Sequence, residues 1–172
     1  MAHMDDPNAI ELFKIAVAAR QLEIQLFWQR SNYFLVLNTA AAAGFFSLRP
    51  ENGRYAILLA IFGLAASLLW FRVNLGGKYW QVRWEAAAGD LESNLPVNRG
   101  LFSASSGEIR QLVAAAIAKN GHTGFRGCID NLILAKPSVS FAMILLSLLF
   151  ALLWAFLAFA AVSCGAPHAP LN

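Results

Sequence analysis

Three stretches of this chain contain no Asp, Glu, Lys or Arg: residues 31–48, 55–71 and 137–172. A helix crossing the hydrocarbon core of a bilayer needs about 20 mainly apolar residues. Residues 55–73 (YAILLAIFGLAASLLWFRV) meet that need, with Arg72 placed to snorkel at one end. Residues 138–163 (SVSFAMILLSLLFALLWAFLAFAAVS) fit best. Residues 32–48 (NYFLVLNTAAAAGFFSL) are shorter, Ala-rich and carry Asn38 near the middle. They read either as a first span or as part of a buried soluble hairpin. The six residues 49–54 (RPENGR) make a turn, with Pro50 and Asn52–Gly53 as breakers. So short a turn makes the first two stretches antiparallel, and they stand or fall together.

Composition narrows the classes further. The chain has 172 residues, 58% hydrophobic and 13% charged, with a mean hydropathy of +0.54. An average soluble domain has about 25% charged and about 45–50% apolar residues. This chain has too little polar surface for a small water-soluble protein, which disfavours ordinary soluble enzymes, nucleic-acid binders and disordered chains. Three spans place the termini on opposite sides, and the distribution of Lys and Arg orients them. Residues 72–136 hold eight basic residues, the N-terminal arm three, the turn two and the tail none, giving eleven against two. The side with eleven is the cytoplasm. The expected location is the inner (cytoplasmic) membrane, with a cytosolic N-terminus and an external C-terminus. Topology accounts for the net charge of +3, so direct nucleic-acid binding is not expected.

The expected organisation is all-α. Residues 1–4 (MAHM) read as an expression scar, and acidic Asp5, Asp6 and Glu11 argue against a cleaved signal. A cytosolic N-terminal helix follows over 5–30, then a transmembrane hairpin over 31–73. A cytosolic helical region covers 74–136, a third transmembrane helix 137–163 and an external tail 164–172. Asp6–Pro7 is a good helix start, and no proline interrupts before residue 50. Leu12, Ile15, Ala19, Leu22 and Leu26 form a heptad seam. Ile10, Phe13, Val17, Ile24 and Phe27 form a second apolar stripe. One helix through Leu48 would be roughly 63 Å long; the alternative is a separate amphipathic helix on the membrane surface. Gly76–Gly77 allows a bend, after which Trp80 and Trp84 share a face beside Lys78 and Arg83. That patch suits a membrane interface or a ligand or partner site. Residues 95–104 read as loop. Ser105 and Glu108 form a capping box, and Asn120–Gly121 a helix stop. Residues 122–127 (HTGFRG) read as a linker or, through Arg126, as a phosphate cradle. Cys128 and Cys164 fall on opposite sides of the membrane, so each is expected as a free thiol.

No motif for chemistry is found. Walker-A loop, dinucleotide fingerprint, HExxH and CxxC are all missing from the sequence. So is an Arg–x4–His pair of the ribonuclease type. The chain is therefore expected not to be an enzyme, with no metal site and no cofactor. The spans carry small-residue faces instead: Ala56, Ala60, Gly63 and Ser67; Ser147, Ala151, Ala155 and Ala158; and the pair Ala40 and Gly44. Such faces let helices approach closely in lipid, within and between subunits. Asn38 is the strongly polar residue deep in a span. It reads either as an interhelical hydrogen-bonding group or as a pore-lining amide repeated around a symmetric ring.

Residues 26–40, 64–92 and the span after Lys136–Pro137–Ser138–Val139–Ser140 resemble the RipA-type small octameric membrane proteins of bacteria. The likeness rests on Trp28–Gln29–Arg30, Asn38 and the run W-F-R-x-N-x-G-x-K-Y-W-x-x-x-W-E from Trp70 to Glu85. That family is similar in style to two-span SLATT defence effectors and to type VI CRISPR accessory membrane proteins. The resemblance implies an oligomeric, pore-forming membrane effector in antiviral defence or stress response. It singles out Arg30, Asn38, Asn74, Lys78, Trp80, Trp84 and Glu85 as interface or ligand residues. Arg83 and Arg126 join them from the basic patches. The expected partners are the lipid bilayer, further copies in a ring, and a nucleotide messenger or defence protein as trigger. A scaffold that docks a soluble enzyme, without conducting ions, is the rival reading.

Overall fold

The structure, a computed structural model, describes residues 7–48, 53–95, 100–119, 125–135 and 138–164. It is helical throughout, with no strand among the described residues. The helices are α1 (Pro7–Ser47), α2 (Gly53–Ser93), α3 (Ser106–Ala118), α4 (Phe125–Leu134) and α5 (Val139–Cys164). Helix α1 is a single element of 41 residues, roughly 60 Å long, so the separate surface helix is not the arrangement found. Among the described residues, two helices are long and apolar enough to cross a membrane: Arg54–Ser93 and Val139–Ser163. The end of α1 falls short of that measure, because Asn32 and Asn38, with Ser31, Thr39 and Ser47, dilute its apolar residues.

Helix α2 also runs unbroken through Gly76–Gly77, where the sequence allows a bend. Close approach explains Gly77. A Cβ there would lie 3.1 Å from the Phe27 ring, tighter than side chains normally tolerate. Helix α4 is a further departure. Residues 125–127, read as linker, already belong to it, and ten residues with one apolar face are too short for a strong periodic signal. Residues 49–52, 120–124 and 165–172 lie outside the described residues. So do most of the expected turn, the Asn120–Gly121 stop and much of the tail; helix α3 is capped at its end by Lys119.

The chain divides into two compact units. One comprises Leu26–Gly77 and Ser140–Asn172, and is built from segments of α1, α2 and α5. Its inward α1 positions are Phe27, Ser31, Phe34, Asn38, Ala41 and Phe45, spaced four and three apart as interlocking helices require. Ala41, Ala60 and Trp154 form the buried apolar cluster, with Phe45, Leu64 and Leu157 packed against it. Its outer surface is Leu, Ile, Phe and Val, suited to lipid.

The other unit comprises Met1–Gln25 and Lys78–Val139. Here the heptad seam and the second stripe exchange roles. Leu12, Ile15 and Leu22 are more than half exposed, while Phe13 and Val17 turn inward beside the buried Ala16. Phe102 decides this orientation, meeting Phe13 edge to face at 5.9 Å and lying under the Arg20 guanidinium at 5.6 Å. Helix α3 opens with the Ser105–Glu108 capping box: the Ser105 amide donates to Glu108 at 2.7 Å, and the Glu108 amide to Ser105 Oγ at 3.3 Å.

Candidate functional site

Polar side chains buried in an apolar unit must find partners there, since an unpaired polar group in such surroundings costs several kcal/mol. In the unit built from α1, α2 and α5 they collect in two layers, apart from Ser147, whose hydroxyl donates to the Ile144 carbonyl of its own helix at 2.7 Å. In the first, Asn38 is fully buried. Its Oδ1 accepts from Ser67 Oγ and Trp154 Nε1, both at 2.8 Å. Its Nδ2 donates to the Phe34 carbonyl at 2.9 Å. One amide thus ties α1 to α2 and α5. Close packing makes this geometry available: a Cβ added at Gly63 would overlap the Trp154 indole.

The second layer uses the same three residue types in a different order. Ser31 Oγ donates to Asn74 Oδ1 at 3.2 Å and accepts from Trp70 Nε1 at 3.4 Å. Asn74 Nδ2 donates to the Met143 carbonyl of α5 at 3.1 Å. Ser31 and Asn38 are one heptad apart, and so are Ser67 and Asn74. Seven residues rise about 10 Å. The hairpin therefore carries two amide–hydroxyl–indole rungs, with Ser and Asn interchanged between α1 and α2. Trp70 also stacks on Phe34, with ring centroids 6.2 Å apart.

Asn38 is placed as an interhelical hydrogen-bonding group: its side chain has no exposed surface, and both ends of its amide are bonded inside one subunit. Among the small residues, Ala60, Gly63, Ser67, Ser147 and Ala151 are buried, and Ala56 and Gly44 half-buried. Ala40 and Ala155 face outward. The adjacent Ala41 and Trp154 take the inner positions, because the packed seam steps by four and three while the expected faces followed small residues alone. Ser31 and Trp154 are not among the expected residues, and Trp70 enters only as the first residue of the run that carries the resemblance. Their signal was the repeated Ser–Asn heptad spacing on two neighbouring segments.

The remaining expected residues do not form one site. Asn74 belongs to the second layer. In the other unit, Trp80, Arg83 and Arg126 are exposed, and Lys78 and Trp84 half-buried. Arg30 is half-buried on α1. Glu85 is drawn into an ion pair, its Oε1 2.9 Å from Arg20 Nη2. An unexpected anchor lies nearby: the Glu92 carboxylate accepts from the amides of Leu101, Phe102 and Ser103 at 2.7–2.8 Å. Burial opposes its ionisation, and the three backbone donors outweigh burial, holding its carboxyl below the ordinary value of 4.5. Hydrogen bonds from Ser105 lower Glu108 likewise. No group of His, Cys, Asp and Glu able to hold a metal occurs among the described residues. Cys128 is a free, exposed thiol.

Long apolar helices joined by buried hydrogen bonds, with an outer surface that water would not favour, define a helical membrane protein. The octameric membrane protein family (8xMP) matches residues 10–163, and the chain belongs to that family. The resemblance carried by Trp28–Arg30, Asn38 and the Trp70–Glu85 run is met by this match. No curated protein and no solved structure matches the chain.

Proposed function

We propose that the chain is one subunit of a ring-shaped membrane pore, opened by a cytosolic nucleotide or protein signal in bacterial defence or stress response. In this reading the end of α1, α2 over residues 55–73 and α5 all cross the inner membrane. The eleven basic residues lie in the cytosol and the C-terminus outside. The chain itself carries out no catalysis. One observation supports the pore over the scaffold. The exposed α1 surface of the packed unit interleaves Asn32, Thr39, Ala40, Ala43 and Ser47 with the apolar Val36 and Phe46, a mixed strip more polar than the exposed faces of α2 over residues 55–71 and of α5. Thr39 and Ser47 satisfy their hydroxyl protons on their own helix, through the Leu35 and Ala43 carbonyls at 2.8 and 2.7 Å. Such a strip suits a lumen or a subunit contact better than lipid, and an octamer repeats it eight times around an axis.

Single-channel recording on reconstituted protein tests this. Thr39→Cys should become sensitive to a charged thiol reagent that blocks current, while Asn38→Leu should weaken the assembly without changing ion selectivity. An octamer that passes no current under any trigger would leave the scaffold reading.

A further inference from the structure

Helices α3 and α4 have no role in the pore reading, yet both leave much of their apolar surface uncovered. No residue of α3 is buried. Leu112 is 70% exposed and Leu132 63% exposed, with Ile129 and Ile133 on the same side of α4 at 40% and 48%. Between the two helices runs an apolar groove of about 460 Å³, floored by Ile109, Val113, Ile133 and Leu134 and edged by Arg110. Apolar area left in water costs about 25 cal/mol per Å², and clustered exposure of this kind marks an interaction surface.

The charges and the chain path choose the occupant. Arg110, Lys119 and Arg126 are exposed on this helix pair; of its two acids, Glu108 is held by the capping box and Asp130 is half-buried. Leucines and isoleucines beside exposed Arg and Lys are what an in-plane interfacial helix presents to anionic lipid. Helix α4 ends at Leu134, and the apolar α5 starts at Val139. The chain can cover at most about 18 Å over those five steps, so the end of α4 stays within that reach of the point where α5, in the proposed topology, enters the bilayer. We infer that the α3–α4 pair is a monotopic membrane anchor. Its apolar face lies in the acyl–headgroup boundary, and Arg110 and Arg126 meet anionic lipid phosphates. This assignment is independent of conductance.

The test uses the full chain with Cys128→Ser and Cys164→Ser, reconstituted in phosphatidylcholine vesicles with and without phosphatidylglycerol. A nitroxide is attached in turn through Leu112→Cys, Leu132→Cys, Gln111→Cys and Asn131→Cys. All four positions are exposed, so the fold is preserved. Labels at 112 and 132 should collide several-fold more often with oxygen than with a water-soluble nickel chelate; labels at 111 and 131 should show the reverse. Arg110→Gln should remove the part of this preference that depends on phosphatidylglycerol. Equal chelate access at all four positions would overturn the anchor. So would line broadening at 112 and 132 that disappears on dilution with unlabelled chain, since a second copy would then cover the face. A preference unaffected by phosphatidylglycerol and by Arg110→Gln would overturn the phosphate contact.

Discussion

The two units of this molecule satisfy their polar groups by opposite means. The unit of Leu26–Gly77 and Ser140–Asn172 buries neutral amides, hydroxyls and indoles, and pairs them across helices within an apolar shell. The unit of Met1–Gln25 and Lys78–Val139 uses charge: an Arg–Glu pair, a capping box and a carboxylate holding three backbone amides. Desolvation explains the contrast. Neutral donors and acceptors lose little on leaving water if they pair, whereas an ion loses several kcal/mol even in a good pair. Charge is retained where water can still reach it, as at Arg20 and Glu85, or where backbone amides replace water, as at the buried Glu92.

Four changes would break or sharpen that contrast. The largest effect is expected from Gly63→Ala, because the added carbon would overlap the Trp154 ring. Overpacking of this kind should cost about 3 kcal/mol in detergent unfolding, and an unchanged midpoint would show that the helices are not packed so closely. Asn38→Leu comes next. It leaves the buried Trp154 N–H without its acceptor and should cost about 2 kcal/mol. A cycle with Trp154→Phe should then return a coupling near 1 kcal/mol. Neither loss should depend on salt.

Glu92→Gln should act locally, raising amide exchange at residues 101–103 with little change in global stability. Its pH dependence has a definite sign. A carboxyl held below its ordinary value contributes stability that is complete above 4.5 and is lost as pH falls through the folded value. Acid should therefore loosen residues 101–103 in the parent chain, and the Gln variant should not respond. The smallest effect belongs to Arg20→Ala. The Arg20 and Glu85 side chains are 32% and 42% exposed, and a pair so accessible contributes about 0.5 kcal/mol. Moderate salt should erase that difference, the screening length being about 10 Å at 0.1 M. A salt-resistant loss would place the pair in drier surroundings than its exposure indicates.

Much of this architecture is legible from charge and periodicity. Uncharged runs mark α2 and α5, Ser105–Glu108 marks the start of α3, and the absence of breakers makes α1 continuous. Three features stay hidden for physical reasons. Small residues mark a face only to within one position, so Ala40 and Ala155 were indistinguishable from the Ala41 and Trp154 positions that pack. Both α1 stripes are apolar and heptad-spaced, and Phe102, some 90 residues away in sequence, settles which one turns inward. The Glu92 anchor depends on three amides of irregular backbone, and backbone donors carry no residue signature. Asn38 is legible from its place deep in a span and Asn74 from the family resemblance; the rung that joins Asn74 to Ser31 is not, because a lone serine at the start of an uncharged run carries no sign of its partner on another helix.

The interchange of Ser and Asn between the two rungs restricts how this hairpin can move. If α2 slid one heptad along α1 in one direction, Asn38 would face Asn74 and both serines would lose their partners. In the other direction Ser31 would face Ser67, leaving both asparagines in hydrocarbon. The pairing thus behaves like a two-notch key that fits at a single depth. A one-heptad slide of α1 along α2 is therefore disfavoured, and the motions left open to this pair are those that tilt or turn the two helices together.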